Sequence, residues 1–214
     1  MSSLRITEIF YSLQGEGRFV GLPTMFIRLT GCPLRCVYCD TEYAFTGGSV
    51  LMIDQILEKV AACKPAYVCV TGGEPLAQKH CSDLLTALCD VNYQVSLETS
   101  GAISIEGLDA RVCVVMDLKT PGSGELDKNL FSNIALLKPL DQVKFVIANR
   151  ADYEWSRAQI FKYALHEKVS DVLISPSFGQ IDLQTLAEWI LEDHLPARMQ
   201  LQMHKIIWTD AAGH

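Results

Sequence analysis

Residues 24–39 read TMFIRLTGCPLRCVYC, an apolar run that predicts a buried strand and opens directly into a loop with three cysteines. Three residues separate Cys32 from Cys36, and two separate Cys36 from Cys39. Thiolates are soft ligands that favour iron–sulfur clusters, zinc or Cu(I). A four-iron cluster usually takes one thiolate per iron. Three cysteines without an obvious fourth therefore predict a cluster with one iron open to a small molecule.

Zinc is the main alternative for this loop, and a chance grouping of cysteines is the other. A zinc ribbon usually carries two Cys-x-x-Cys pairs, and the sequence has no second pair. The remaining cysteines also lack partners at ligand spacing, and those in apolar strands are interpreted as small core residues. The core pair is Cys69 and Cys113, and the others outside the site are Cys63, Cys81 and Cys89.

The composition is that of an ordinary soluble globular protein, with 49% hydrophobic and 20% charged residues among 214. Residues 1–8 are polar and do not resemble a signal peptide. The sequence therefore predicts a cytoplasmic protein with reduced cysteines, and a disulfide framework fits poorly. No apolar segment approaches the length of a membrane span. The formal net charge of −7 argues against broad binding of nucleic acid, which needs a basic surface.

Strand and helix patterns alternate from residue 24 to the end of the chain, after a short lead strand and a turn-rich loop in residues 1–23. The predicted strands lie at 24–30, 67–71, 93–98, 112–116, 142–147, 171–174 and 199–203. The predicted helices lie at 53–62, 76–89, 152–166 and 183–195, with one of about ten residues around 130–137. A short connection through Gly47-Gly48 is expected before the first helix.

This alternation predicts an α/β fold with a parallel sheet and right-handed crossovers. A closed eightfold barrel takes about 250 residues. The chain is shorter and shows about seven strands. We therefore expect a partial, incomplete TIM-like β/α barrel in a single domain over residues 1–214.

Polar or glycine-rich residues follow six of the predicted strands, beginning with the cysteine loop. In a parallel barrel all the carboxyl ends of the strands open onto one face, which carries the active site. The sequence therefore predicts one pocket with the cluster at its rim. The other five strand ends are Gly72-Gly73-Glu74, Glu98-Thr99-Ser100, Asp117 with Lys119, Ser175, and His204.

Two further features point to a small acidic ligand, although each has a simpler structural explanation. Arg28 interrupts an apolar strand, and an isolated buried charge is expensive, so it needs either a structural ion pair or a ligand carboxylate. Residues 14–17, Gln-Gly-Glu-Gly, allow close approach of the backbone to a ligand or form an ordinary turn. Lys119 could pair with a carboxylate or cap a helix, and His204 could contact a ligand or be structural.

The cysteine spacing, with Tyr38 before the last cysteine, resembles the radical S-adenosylmethionine (SAM) superfamily. Thr71-Gly72-Gly73-Glu74-Pro75 is similar to the motif that binds the SAM amino group in that superfamily. Within it, the chain resembles the 7-carboxy-7-deazaguanine synthase family over nearly its whole length. The residues that carry this resemblance are Phe10, Leu13-Gln14-Gly15-Glu16-Gly17, Phe26-Ile27-Arg28-Leu29, Gly31-Cys32-Pro33, Cys39-Asp40-Thr41, Glu98-Thr99-Ser100-Gly101 and Met203-His204-Lys205.

The resemblance implies a radical ring contraction in the biosynthesis of queuosine and related 7-deazapurines. A [4Fe–4S] cluster would bind SAM at its free iron and cleave it to methionine and a 5′-deoxyadenosyl radical. The radical would take a hydrogen atom from C6 of 6-carboxy-5,6,7,8-tetrahydropterin. The ring would then contract with loss of ammonia to 7-carboxy-7-deazaguanine, so the enzyme would be a carbon–nitrogen lyase. The cofactor performs the radical chemistry, while the protein binds and orients the reactants.

The resemblance also implies a role for each matched residue. Cys32, Cys36 and Cys39 would hold the cluster, and Thr41 would bind a Mg²⁺ ion, which prefers oxygen ligands. The implied substrate contacts are Leu13, Gln14, Gly15, Arg28 and Thr71. The implied SAM contacts are Tyr38, Asp40, Gly73, Ser100, Asp117, Leu118, Lys119, Ser175, Pro176, Ser177 and Phe178.

The same resemblance implies a homodimer and a flavodoxin-like electron donor. The chain lacks the longer insert that some family members carry within the cysteine motif, and residues 210–214 match nothing in the family. Two other hypotheses stay open on the residues. One is an activase of a glycyl-radical enzyme, which would act on a protein, and the other is a non-enzymatic metal or electron-transfer module.

Overall fold

The computed structural model describes residues 2–209, and within that range nine strands form one sheet flanked by six α-helices. The strands are β1 (Ser3–Leu13), β2 (Pro23–Leu29), β3 (Ser49–Met52), β4 (Tyr67–Gly72), β5 (Gln94–Thr99), β6 (Cys113–Asp117), β7 (Gln142–Ile147), β8 (Asp171–Pro176) and β9 (Arg198–Met199). The helices are α1 (Ile53–Ala62), α2 (Cys81–Asp90), α3 (Arg150–Lys162), α4 (Leu165–Lys168), α5 (Leu183–Glu192) and α6 (Met203–Trp208).

The spatial order of the strands is β3-β1-β2-β4-β5-β6-β7-β8-β9, so β3 and β9 form the two open edges. The strands from β2 through β4 to β9 pair in parallel, while β1 pairs antiparallel with both β2 and β3. The predicted α/β architecture, an incomplete barrel with parallel strands, is confirmed. In register, Glu8 of β1 and Thr71 of β4 lie on either side of Arg28 in β2.

The core lies between the sheet and the helices. In α1 the buried residues are Ile56 and Val60, four positions apart on one helix face. In α2, Leu84, Leu85 and Leu88 are all fully buried. Each such side chain contributes roughly 1.5–3 kcal/mol when it leaves water. This packing of the helices against the sheet fixes the strands whose carboxyl ends carry the site.

The first 52 residues contain more strand than expected. β1 runs for 11 residues instead of being a short lead strand. The stretch 49–52, expected to be part of a connection, forms the edge strand β3 and pairs with Ser3–Ile6 of β1. The four-residue apolar run Ser-Val-Leu-Met is too short to distinguish a strand from the start of a helix, and here the pairing with β1 decides the conformation.

The segment around 130–137 is not an α-helix, and that expectation is wrong. It forms a 3-10 run at Phe131–Leu136. The buried Asn133 amide donates to Gly101 O and Ile103 O, and its oxygen accepts from Ile105 N. These tertiary hydrogen bonds occupy the side chain and compete with a regular helix.

Several predicted boundaries also move. The second helix begins at Cys81 and not at residue 76, because Glu74 accepts a hydrogen bond from Leu76 N and Pro75–Ala77 form a 3-10 turn. The helix predicted for 152–166 is divided into α3 and α4 at Ala164, which has a φ of 47°. The helix expected at 183–195 is α5, which ends at Glu192.

The final strand predicted for 199–203 is mostly wrong. β9 covers only Arg198–Met199, and the chain then turns into α6, which starts at Met203. Met203 N donates to Gly15 O at 3.0 Å, which ends the sheet by directing the chain back over the loop after β1. In the part of the chain that the structure covers, no helix is both long and apolar enough to span a bilayer.

Candidate active site

A cavity of about 770 Å³ opens at the carboxyl ends of the parallel strands. Its wall includes the cysteine loop and residues at the ends of β4, β5, β6 and β8. The predicted site residues other than Leu118 all line it: Leu13, Gln14, Gly15, Arg28, Cys32, Cys36, Tyr38, Cys39, Asp40, Thr41, Thr71, Gly73, Ser100, Asp117, Lys119, Ser175, Pro176, Ser177 and Phe178. The structure therefore brings residues from seven separate segments of the chain into one site.

The Leu118 side chain lies elsewhere. It is fully buried in the hydrophobic core, and its N–H donates to Lys144 O at 2.9 Å. Successive residues of an extended chain point their side chains to opposite faces of the sheet. Leu118 points into the core while Asp117 and Lys119 reach the cavity, and the sequence position alone did not separate them.

The three cysteines of the loop are free thiols that are partly exposed to the cavity. Burial raises the pKa of the Cys36 thiol, and the positive charge of Lys119 opposes that rise. Cluster ligands must be deprotonated, so a buried lysine at this position favours the thiolate form. Among residues 2–209 no three His, Cys, Asp or Glu side chains converge on a single-ion site. A four-iron cluster instead takes each thiolate on a different iron.

The Gly72-Gly73-Glu74 turn packs directly against the cysteine loop. A side-chain Cβ on Gly73 would lie 2.6 Å from Cys32 Cβ and would also overlap Gly31 O. The completely buried Glu74 carboxylate accepts hydrogen bonds from Leu76 N, Thr99 Oγ1, and both Ser100 N and Ser100 Oγ. Glu74 thereby connects the end of β4 to the end of β5. Because Gly72 and Gly73 have no side chains, their backbone can lie directly beside the cysteine loop.

The buried polar atoms of the cavity wall that have no hydrogen-bond partner within residues 2–209 include Asp117 Oδ1 and Ser175 Oγ. Buried polar groups are nearly always satisfied, so unpaired ones at a cavity suit a polar ligand. The other Asp117 oxygen accepts from Lys119 Nζ at 2.9 Å. The Asp117 carboxylate, the Ser175 hydroxyl and the Lys119 ammonium fit the polar groups of SAM, which carries an ammonium, a carboxylate and two ribose hydroxyls.

Arg28 also lines the cavity and has a structural partner. Its Nε donates to Glu8 Oε1 at 2.7 Å, and Tyr43 Oη donates to the same oxygen at 2.8 Å. Burial lowers the Arg28 pKa, but the hydrogen bond to Glu8 and the nearby charges of Tyr43, Glu8 and Glu98 together outweigh it and raise the pKa above its ordinary value. Within the described chain the two terminal guanidinium nitrogens make no hydrogen bond. Arg28 can therefore keep its ion pair with Glu8 through Nε and bind a ligand carboxylate through its two terminal nitrogens.

Glu98 is an acidic group inside the cavity, which the sequence placed at a strand end of the predicted pocket without assigning it a ligand contact. Thr71 Oγ1 donates to Glu98 Oε2 at 3.0 Å, and Gln14 Nε2 donates to Oε1 at 3.4 Å. Two predicted substrate contacts thus converge on one carboxylate. Glu98 can accept hydrogen bonds or a proton from a ligand in this part of the cavity.

A second acidic group, Glu16, pairs with Lys144 of β7. Lys144 Nζ lies 2.6 Å from Glu16 Oε2, and Gln202 Nε2 donates to Oε1 at 2.8 Å. Lys144 interrupts the apolar run of its strand as Arg28 does. A charged residue in an apolar strand was the signal for Arg28, and it would have identified Lys144 as a candidate site residue. Gln202 had no such signal, because it reaches the site only through the turn before α6.

Helix α6 closes part of the cavity. Lys205 Nζ lies 3.2 Å from Asp40 Oδ2 and 5.0 Å from the centre of the Phe178 ring. His204 also lines the cavity, and a Cβ on Gly15 would overlap its Nδ1. Both interpretations of His204 therefore remain open, because the ring packs on Gly15 and also borders the cavity.

Comparisons with known proteins define the class. A family described as the radical SAM superfamily matches residues 26–111, which span the cysteine loop and the Gly-Gly-Glu turn. The crystal structure of QueE from Escherichia coli superposes with a TM-score of 0.77 over 94% of this chain and 95% of that chain. At 22% identity this likeness shows a shared fold. The fold and the family match are those of a radical SAM protein.

Full-length relatives narrow the assignment. A 7-carboxy-7-deazaguanine synthase from Chlorobaculum tepidum is 46% identical over 98% of this chain and 97% of its own length. One from Koribacter versatilis is 41% identical over 96% and 97%. One from Thermoplasma acidophilum is 36% identical over 97% and 99%. The chain belongs to the 7-carboxy-7-deazaguanine synthase family.

Proposed function

We propose that this chain is a carbon–nitrogen lyase that converts 6-carboxy-5,6,7,8-tetrahydropterin to 7-carboxy-7-deazaguanine, a step of queuosine and 7-deazapurine biosynthesis. The observation that carries the proposal is that the three-cysteine loop and Arg28 open onto one cavity. The cysteine loop supplies a site for one-electron chemistry, and the guanidinium supplies a site for a small carboxylate.

Cys32, Cys36 and Cys39 would hold the [4Fe–4S] cluster in this cavity. When bound, the cluster and SAM supply a carbon-centred radical that removes one hydrogen atom from the substrate. The protein positions the cofactor and excludes water. The residues proposed to hold SAM are Tyr38, Asp40, Gly73, Ser100, Asp117, Lys119, Ser175, Pro176, Ser177 and Phe178, with Leu118 able to contribute only through its backbone.

Arg28 would bind the substrate carboxylate through its two terminal nitrogens, while Glu8 holds the Nε and fixes the plane of the guanidinium. A bidentate contact of this kind adds geometric selectivity to charge. Leu13, Gln14, Gly15 and Thr71 would complete the substrate site. Glu98 would accept hydrogen bonds from the amino and amide nitrogens of a pterin ring, since it already accepts from Thr71 and Gln14.

Thr41 is proposed as the protein ligand of a Mg²⁺ ion that bridges to substrate. Its hydroxyl proton is used in a 2.7 Å hydrogen bond to Asp40 Oδ1. The oxygen lone pairs are thereby left for a cation. Magnesium keeps most of its waters and takes few protein oxygens, so a single hydroxyl is sufficient.

The remaining proposals concern the whole molecule. We treat residues 1–214 as a single radical SAM domain, which one continuous sheet over residues 3–199 supports. A flavodoxin-like protein would donate the electron, the enzyme would be a cytoplasmic homodimer, and it would act on a small molecule. These proposals rest on the family resemblance.

The direct test is anaerobic incubation of the reconstituted protein with SAM, a reductant, Mg²⁺ and 6-carboxy-tetrahydropterin. Mass spectrometry should detect the deazapurine acid and methionine. Omission of Mg²⁺ should lower the rate. An intact cluster whose EPR signal responds to SAM, but which forms no product, would instead favour a protein substrate. An EPR signal unchanged by SAM would favour an electron-transfer module.

A further inference from the structure

We propose that Glu125 is a positioning residue for the cysteine loop. It acts from a segment that we call the brace, residues 120–125, which follows the cavity residues at the end of β6. The inference rests on the proposed function, because it assumes that the loop holds a cluster. Glu125 lies outside the cavity wall and would not touch SAM or substrate.

The brace meets the cysteine loop at two backbone groups between the predicted cluster ligands. Arg35 N donates to Glu125 Oε1 at 2.6 Å, and Val37 N donates to Ser123 O at 3.0 Å. Gly124 has a φ of 76°, and a Cβ there would lie 3.3 Å from Val37 Cγ2. The two segments are therefore in close contact on both sides of Cys36.

The brace is itself anchored in the protein interior. The fully buried Asp152 at the start of α3 accepts from Gly122 N at 2.6 Å and from Ala148 N at 3.0 Å. The fully buried Ser123 donates to Thr120 O at 2.6 Å and accepts from Glu125 N at 3.1 Å. A support that is fixed at its far end can transmit a defined position to the loop that it contacts.

The start of the cysteine loop packs against the Gly72-Gly73-Glu74 turn, where Glu74 N donates to Gly31 O at 2.9 Å. The middle of the loop is held by Arg35. The Arg35 side chain donates from Nη1 to Cys32 O at 2.8 Å and to Leu34 O at 2.6 Å, and its guanidinium carbon lies 4.1 Å from the centre of the Phe45 ring. These contacts curl the loop but do not fix where it lies relative to β6. The hydrogen bonds from Arg35 N and Val37 N to the brace fix that placement.

The brace also decides which backbone groups can reach the cluster. Hydrogen bonds to cluster sulfurs and nearby charges set the reduction potential of an iron–sulfur centre. Glu125 and Ser123 withhold the Arg35 and Val37 N–H groups from the sulfurs, and Glu125 adds a negative charge beside the loop. Both effects lower the reduction potential. Truncating Glu125 removes its charge and releases the Arg35 N–H, while the Val37 N–H stays bonded to Ser123 O.

The test compares Glu125→Ala, Glu125→Gln and Asp127→Ala in the reconstituted enzyme. Glutamine keeps an oxygen that accepts from Arg35 N but removes the charge, and Asp127 is an exposed acid two residues away that does not contact the cysteine loop. The measurements are the rate of iron loss to a chelator without oxygen, the EPR spectrum of the reduced cluster, and its midpoint potential.

We expect Glu125→Ala to lose iron about tenfold faster, a factor within the range for the loss of one hydrogen bond. Its EPR spectrum should change and its potential should rise. Glu125→Gln should keep the wild-type rate and spectrum, with a smaller rise in potential. Asp127→Ala should match the wild type in all three measurements.

Two results would overturn the positioning role. One is equal iron loss and equal EPR spectra in Glu125→Ala and the wild type. The other is a fall in the unfolding temperature of metal-free Glu125→Ala that by itself accounts for faster loss. A wild type that takes up no SAM-responsive cluster would overturn the proposed function as well, and it would do so before any variant is compared.

Discussion

Lys144 Nζ lies 2.6 Å from Glu16 Oε2, and this mostly buried ion pair joins residues 128 positions apart. Glu16 belongs to the loop after β1, which is predicted to contact substrate, and Lys144 belongs to a central strand. The Gln202 amide donates to the other Glu16 oxygen. The pair therefore fixes the Gln14–Gly17 loop and the turn before α6 to the centre of the sheet.

Replacing Lys144 by Met should destabilise the protein by about 3 kcal/mol, because the buried Glu16 carboxylate is left without a cation. Urea unfolding measures this change. Lys128→Met, at an exposed lysine, should stay within about 0.5 kcal/mol of the wild type. The double variant Glu16→Gln/Lys144→Met should recover most of the loss, and a double variant no more stable than Lys144→Met would contradict the pairing.

The same pair predicts a reversal in pH dependence. Burial raises the Glu16 pKa, but the charge of Lys144 and the hydrogen bonds it receives outweigh burial and lower the pKa below its ordinary value. Glu16 therefore contributes stability above its unfolded pKa of about 4.3, which is lost as the pH falls through the folded pKa. In Lys144→Met burial dominates and raises the folded pKa, so Glu16 destabilises as the pH rises.

The stability difference between wild type and Lys144→Met should accordingly grow between pH 4 and pH 7. Unfolding midpoints at several pH values measure this. In a Glu16→Gln background the difference should not change with pH over this range. A difference that shrinks towards pH 7 would show that the sign is wrong.

Arg28→Ala should lose turnover of the carboxylated pterin while still cleaving SAM slowly. The specificity constant should fall about 100-fold, or ~2.7 kcal/mol, as expected for loss of one partner of a buried charge pair. Product and methionine are measured in the same anaerobic assay. Arg111→Ala, an exposed arginine paired with Asp90 and Asp109, should leave both rates unchanged. Full turnover by Arg28→Ala would reject Arg28 as the carboxylate ligand.

Gly73→Ala should abolish SAM binding, because the new methyl group would overlap Gly31 O and approach Cys32 Cβ. Equilibrium binding of SAM to the reconstituted protein measures this. Gly107→Ala is the control, since Gly107 has a φ of 77° and open space around it. It should cost about 1 kcal/mol in backbone strain and leave SAM binding intact. Normal SAM affinity in Gly73→Ala would mean that the turn can move away freely.

Gly15→Ala should displace the His204 ring and weaken substrate binding, with little effect on SAM cleavage. The double variant Gly15→Ala/His204→Ala separates packing from ligand contact. We expect it to regain the unfolding temperature of the wild type but not its KM for the pterin. Recovery of both would assign His204 a purely structural role.

The local sequence was sufficient wherever a short stretch carried the whole constraint. The cysteine spacing predicted the loop, and the apolar runs of β4 and β7 predicted buried parallel strands without knowledge of their neighbours. Because parallel strands end at one edge of a sheet, the polar strand ends could be assigned to one cavity. Arg28 was identified because a charge in a buried strand needs a partner.

Only the tertiary structure decided the features that depend on residues far apart in the chain. The sequence by itself determined the partial barrel, the cluster loop and most of the predicted cavity residues. It did not determine that β3 pairs with β1, that Glu8 holds Arg28, or that α6 replaces the last strand. Those outcomes depend on hydrogen bonds and ion pairs between distant segments, whose energy exists only once the chain has folded.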